Sequence, residues 1–423
     1  MIQRTLEIAS KKLPKKVVIV YSASGKTTDH LVTIGEAARN GNKEAYESTL
    51  EQIITHHKNI CNDLSISQET ADDLLEELRH FTQGLLLLKE VTKRSFDSLL
   101  SFGEFLSTRL VYAYAMSKNL SVEYHDSRTF LKTDNTFGNA QPNMPRTKEL
   151  LKQRIGSSSA SIHIVQGFIG STEGGVCTTL GRGGSDYTAS LCAAALDAEV
   201  LEVWTDVPGI MTSDPRIVSD AQPLSALSYQ EAAELAYFGA KVLHPATIQP
   251  AVEKAIPVVI KNTNEPELPG TNIGPNHTPT IKALTSKSSL TLVQVHSSRM
   301  LNNHGFLSGM FTIFNEHKIS VDIVATSEVS ITVSLEIAPD DKLLNELSRI
   351  GKIIVLQNQT CLCAVGYRVW RNANLLSKVF SAFGKDIPIT LISLGGSENN
   401  LTIVIPDSKQ QIALERLHTV LFG

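Results

Sequence analysis

Thr178-Thr179-Leu180-Gly181-Arg182-Gly183-Gly184-Ser185-Asp186 opens into a small-residue run, Tyr187 to Ala198, and then into Val200-Leu201-Glu202-Val203-Trp204-Thr205-Asp206-Val207-Pro208-Gly209-Ile210. The pattern is a glycine-rich loop leading into a helix, a short buried strand, and two turns, the second at Thr212-Ser213-Asp214-Pro215-Arg216. One arginine among three glycines sets bare backbone N–H groups beside a guanidinium, an arrangement suited to an anion. Pro208 and Gly209 stand where a type II turn wants proline and glycine. The rest of the chain reads as support for, or control of, an anion-handling site here.

Upstream, Val17-Val18-Ile19-Val20-Tyr21 is a continuous apolar run of the kind found in strands buried on both faces. It follows an amphipathic helix over 2–12 and runs into the small polar loop Ser22-Ala23-Ser24-Gly25-Lys26-Thr27-Thr28. Ligands sit at that edge of open α/β sheets. Gly25-Lys26 is not a phosphate loop of the Walker type, because Val20 occupies the position that needs a glycine. Residues 36–120 are helical in pattern, with Leu74, Leu75, Leu78 and Phe81 and then Phe102, Phe105, Leu106 and Leu110 as stripes. Within them, Ser101 and Glu104 fit a capping box. Strands are expected at 122–124, 162–165 and 257–260, and a helix at 229–243. Strands alternating with helices indicate an α/β fold with a mostly parallel sheet covered on both faces.

The 423 residues allow two or three domains. A formal charge of −4 argues against nucleic acid or an anionic membrane as partner, and the apolar blocks fall short of a membrane span. Five cysteines without framework spacing and no export signal fit the reducing cytoplasm. Composition shifts to Pro, Gly, Asn and Thr between Asn262 and Pro279, the best domain boundary. Beyond it lies an internal repeat offset by about 70 residues: Phe306-Leu307-Ser308 pairs with Leu375-Leu376-Ser377, and Ser327-Glu328 with Ser397-Glu398. Each copy reads strand, helix, strand, strand and a further helix. Such modules pair edge to edge and bind a small ligand at the seam.

If the 180–186 loop takes a carboxylate, Arg182 can grip it bidentately while Asp186 and Glu104 hold a nearby ammonium. One cation and two anions match the zwitterion of an amino acid. The plainer reading makes Asp186 the N-cap of its helix, Arg216 part of a surface turn and Lys241 a solvated helical lysine.

Taken jointly, the 179–188 loop, Trp204-Thr205-Asp206-Val207-Pro208-Gly209-Ile210, Thr212-Ser213-Asp214-Pro215-Arg216 and Phe238-Gly239-Ala240-Lys241-Val242-Leu243-His244-Pro245 resemble aspartate kinases of the amino-acid kinase superfamily. The likeness extends through Ser22-Ala23-Ser24, Ser101-Phe102-Gly103-Glu104 and Gln166-Gly167-Phe168-Ile169-Gly170, and covers nearly the whole chain. It implies a three-layer kinase domain over 1–284 and tandem ferredoxin-like ACT modules over 285–423. The implied reaction joins ATP, with Mg²⁺, to L-aspartate, giving ADP and 4-phospho-L-aspartate on the route to lysine, threonine, methionine and diaminopimelate. Thr28, Glu104, Arg182, Gly183, Gly184, Ser185 and Asp186 would hold aspartate, with Ser22 near the reacting carboxylate. Thr205, Asp206, Met211, Arg216, Lys241 and Val242 would line the nucleotide site, Met211 standing where relatives often have tyrosine. Ser22, Arg182, Asp186 and Lys241 are the catalytic candidates.

The tail resembles the lysine-sensitive class. That likeness puts an inhibitory lysine between the ACT units of two chains, at Met300, Asn303, Phe306, Leu307, Ser320, Val321, Asp322, Ser327 and Glu328. It implies a homodimer or a dimer of dimers. Asn303 replaces a serine of the lysine-sensitive pattern. The family's opening strand and Lys-Phe-Gly-Gly-Thr-Ser loop, whose lysine and amides hold the ATP phosphates, precede the first residue here. A late start or a truncated chain is the favoured expectation; a homologue that kept regulation and lost catalysis is the rival. A glutamate or uridylate kinase fits the tail and Glu104 less well.

Overall fold

The computed structural model describes residues 1–238, 245–301 and 304–423. They form two compact units: Met1–Val207 with Leu243–Pro269, and Pro208–Val242 with Gly270–Gly423. The third crossing between units, after Pro269, falls inside the Pro/Gly/Asn/Thr stretch.

In the first unit a three-stranded parallel sheet runs in the order Val17–Tyr21, Ile162–Gln166, Val122–His125. Ile162 and Ile164 face a core built by Leu31, Ile34, Ile53, Leu78, Leu99, Leu106 and Leu110 from the helices Thr27–Asn40, Lys43–Leu64, Glu69–Leu88 and Lys93–Ser117. Val165 faces the opposite side, with Leu131, Leu151, Ile155 and Leu191. Apolar residues on both faces of the central strand explain why it is buried throughout, whereas Val17–Tyr21, read as doubly buried, is only half-buried at the sheet edge. The helix Lys93–Ser117 begins at Thr92, whose hydroxyl accepts the Ser95 N–H. Ser101 therefore lies inside that helix, bonded to the Ser98 carbonyl, and the expected capping box over 101–104 does not exist. A second parallel pair, Leu201–Thr205 and Val258–Asn262, completes this unit's strands after the glycine loop.

The second unit carries a capping box that does form: Ser228 and Glu231 bond reciprocally at the start of the helix Tyr229–Tyr237. The remainder of the 229–243 helix expectation, beyond Phe238, falls on residues 239–243, outside the described ones. A six-stranded antiparallel sheet follows, ordered Val324–Thr326, Ser330–Leu335, Ile281–His296, Lys352–Gly366, Asn400–Pro406, Leu391–Leu394. The two long central strands serve both copies of the repeat. Val293 pairs with Val355 in one copy, while Thr285 pairs with Cys363 in the other. Each copy has its own core, one around Val293, Phe314 and Leu347, the other around Leu362, Phe383 and Leu417. The copies are thus not merely consecutive, because the first half of strand Ile281–His296 completes the copy that follows in sequence. Cys361 and Cys363 are both buried in that sheet, and all five cysteines are free. No described helix is long and apolar enough to cross a membrane.

Candidate active site

The glycine loop ends at Gly183, which caps the helix Gly184–Leu196 in the left-handed region, φ 68°. A side chain there would be strained, so glycine is required for the chain to turn its first N–H groups outward. Asp186 is the third helical residue rather than the N-cap, which corrects the capping expectation. It sits where a carboxylate complements the helix dipole. Its carboxyl is half-buried and pushed up to about 6 by burial. Arg182 is exposed.

Glu104 projects from the middle of the long buried helix and is only 2% exposed. Its Oε1 accepts the Ala23 N–H at 3.2 Å, and its Oε2 is buried without a partner. Desolvation pushes the carboxyl up to about 8, against the lowering effect of that N–H. One residue before Ala23, Ser22 accepts a hydrogen bond from Ser185 Oγ at 3.0 Å. A Cβ on Gly167 would lie 2.5 Å from Ser185 Oγ, so the end of strand Ile162–Gln166 abuts the same residue. Glu104, Ala23, Ser22 and Ser185 thus form one connected cluster. Thr28 is the second residue of the helix Thr27–Asn40, whose buried neighbour Thr27 closes back on the Ser24 carbonyl at 2.6 Å.

The residues expected at a nucleotide fall in both units. Thr205 ends its strand opposite Asn262 and hydrogen-bonds Asp206 Oδ1 at 3.1 Å. In the second unit, Met211 bridges to Pro223, and the exposed Arg216 guanidinium is clasped by Asp214 at 2.7–3.2 Å. Lys241 and Val242 lie outside the described residues.

Among the tail residues, Met300, Phe306 and Val321 pack on the first copy's core, whereas Leu307, Ser320, Ser327 and Glu328 are exposed. Ser327 closes the turn by bonding Ser330 Oγ at 2.7 Å. The Asp322 side chain accepts from the Tyr237 hydroxyl at 2.7 Å and the Lys287 ammonium at 3.3 Å. Asn303 lies outside the described residues.

Asp97 was missed by sequence reading. It looks like an ordinary acid on a helix, yet it is buried and accepts the N–H groups of Thr179 and Gly138 and the Thr179 hydroxyl, at 2.8, 3.0 and 2.9 Å. It ties the strand before the glycine loop to the helix that bears Glu104. The only signal was its place seven residues before Glu104, on one face of the helix.

Residues 4–262 match the amino acid kinase family, and residues 362–421 match an ACT domain. The chain is 35% identical to lysine-sensitive aspartokinase 3 of Escherichia coli K12, across 96% of this chain and 92% of that protein. It superposes on the structure of E. coli aspartokinase III in complex with aspartate and ADP, in the R-state, with a TM-score of 0.84 at 33% identity, covering 100% of this chain and 96% of the other. With the lysine- and aspartate-bound T-state of that protein the TM-score is 0.79, at the same identity and coverage. Similarity of this extent, on a fold that presents a glycine loop, a buried helix glutamate and a double ACT sheet, places the chain in the aspartokinase branch of the amino acid kinase family.

Proposed function

We propose that the chain transfers the γ-phosphoryl group of ATP to the β-carboxylate of L-aspartate, yielding 4-phospho-L-aspartate and ADP at the head of the lysine, threonine and methionine route. The observation that carries this reading is Glu104, a buried carboxylate with one oxygen anchored on Ala23 and the other unpartnered. Leaving such an oxygen unpaired is costly, and a substrate ammonium supplies the missing donor. Asp186 adds a second negative group at the helix that starts after Gly183, and Arg182 is free of burial to reach an α-carboxylate. Ser22 and Ser185, joined by their hydroxyls, would lie beside the reacting carboxylate.

The chemistry needs no strong base. A β-carboxylate with a reference pKa of about 3.9 is already ionised at neutral pH. The protein's task is to bring two anions together and neutralise charge as the phosphoryl group moves. Thr205 and Asp206, at the carboxyl end of the strand Leu201–Thr205 that pairs in parallel with Val258–Asn262, fit a nucleotide's place in an open α/β sheet. Met211, Arg216, Lys241 and Val242 are the remaining positions that the family resemblance assigns to the nucleotide, with Mg²⁺ accompanying the phosphates.

We further infer lysine as feedback effector, held where ACT units of two chains meet, with residues 1–284 catalytic and 285–423 regulatory. The T-state relative was solved with lysine and aspartate, and the family resemblance would put the effector here at Met300, Asn303, Phe306, Leu307, Ser320, Val321, Asp322, Ser327 and Glu328. Five free, buried cysteines fit a reducing compartment such as the cytoplasm. A coupled ADP-release assay with ATP and L-aspartate tests the reading. Aspartate-dependent turnover is expected; its absence would leave a lysine-binding regulatory protein.

A further inference from the structure

A second cluster lies away from the glycine loop. Glu123 is the register partner of His163 on the neighbouring parallel strand, and His125, two residues on, shares the face of Glu123. The sheet pleat alone therefore brings one carboxylate and two imidazoles together. His125 Nε2 and His163 Nδ1 are 3.0 Å apart, Glu123 Oε2 is 3.9 Å from His125 Nε2, and one donor atom from each residue lies within 4.8 Å of the others. A tetrahedral ion with bonds of about 2.0–2.2 Å sets its ligand atoms about 3.3–3.6 Å apart, between the 3.0 and 3.9 Å separations found here.

Both histidines are buried, whereas Glu123 is part-exposed on the sheet's edge strand and opens the cluster to solvent. The hydrogen bond between the two ring nitrogens requires the accepting ring to be neutral, the form that ligates metals. Ser158 Oγ donates to Glu123 Oε2 at 2.5 Å and orients that carboxylate. His163 Nε2 is buried without a hydrogen-bond partner. Two cations face the cluster, Lys16 towards Glu123 and His163, and Arg154 towards His125. The Lys16 ammonium is engaged by the carbonyls of Ile155 and Ser158 at 3.0 and 2.9 Å, which blunts its repulsion.

We propose that Glu123, His125 and His163 bind one divalent transition-metal ion of the zinc type, with water in the fourth position. Two nitrogens and one carboxylate suit zinc, cobalt or nickel rather than magnesium or calcium. Binding replaces the hydrogen bond between the rings. The donating ring moves its proton to its other nitrogen through solvent, with no net proton release. The ion pins the edge strand Val122–His125 to Ile162–Gln166, whose end abuts Ser185 through Gly167, and so braces the substrate cluster from behind.

The test is titration of the chelator-treated, dialysed full chain with Co²⁺ and then Zn²⁺, read by the visible d–d bands of tetrahedral Co²⁺ and by thermal melting. One equivalent per chain, intense bands, displacement by Zn²⁺ and a raised Tm are expected, with no such Tm shift from Mg²⁺. Glu123→Gln, at a part-exposed position where folding should persist, is expected to weaken Co²⁺ binding at least about tenfold. His163→Asn should abolish the bands if it folds. Absence of d–d bands at saturating Co²⁺, or a Glu123→Gln titration that superimposes on the wild type, overturns the proposal.

Discussion

Raising the pH from 7 to 8 should lower the KM for aspartate about fivefold, because the group proposed to receive the substrate's ammonium is mostly protonated in the free protein. Glu104 is pushed up to about 8 by burial. A carboxyl with that value is ionised in roughly one molecule in eleven at pH 7 and one in two at pH 8, and only the ionised form pairs with an ammonium. Asp186, at about 6, adds a shallower rise below pH 7 in the same direction. The measurement is initial rate against aspartate concentration from pH 6.5 to 9, with nucleotide saturating so that its own titration drops out. Glu104→Gln is the control: its KM should be high at every pH and lose the slope between 7 and 8. A wild-type KM that stays flat across this window would refute the assignment of Glu104 to the ammonium. The same group bears on stability with a defined sign. Its folded-state value lies above the ordinary 4.5, so the folded chain binds more protons than the unfolded one between about 4.5 and 8. Its contribution is full below 4.5 and declines as pH rises through 8, and Glu104→Gln should flatten that part of the melting profile.

Arg182→Ala, at an exposed position, should raise the KM for aspartate far more than that for ATP; equal effects in steady-state kinetics would remove Arg182 from the α-carboxylate. Asp97→Ala strands the buried Thr179 N–H and should cost about 1–3 kcal/mol in a denaturant melt, the part-buried Gly138 N–H being able to turn to water, and a loss below about 1 kcal/mol would show that water replaces Asp97 at Thr179 as well. Glu328→Ala should move the lysine inhibition curve to higher concentration, and a superimposable curve would displace Glu328 from the effector site. Lys287→Met removes an ammonium already resting on Asp322, so it should move that curve to lower lysine; a shift upward would mean that Lys287 supports the effector rather than competing with it.

What could be known from the chain alone was whatever depends on local pattern. Continuous apolar runs, helical stripes, the glycines around Arg182 and the repeat after Pro279 are written in adjacent residues. They sufficed for the fold class and for the family. Ser228 and Glu231 meet within one helical turn, and such contacts need no tertiary knowledge. Ser101 and Glu104 have the same spacing, yet the helix had already begun at Thr92, and no local rule distinguishes a cap from an interior turn. Burial did the rest. Only packing leaves Glu104 2% exposed with a lone Oε2, turns Asp97 from a surface acid into a loop anchor, and spends Asp322 on Tyr237 and Lys287. Only sheet register sets Glu123 opposite His163 and lets one long strand complete the ACT copy that follows it. Such facts rest on residues tens of positions apart, whose desolvation and pairing exist only once the chain has closed on itself.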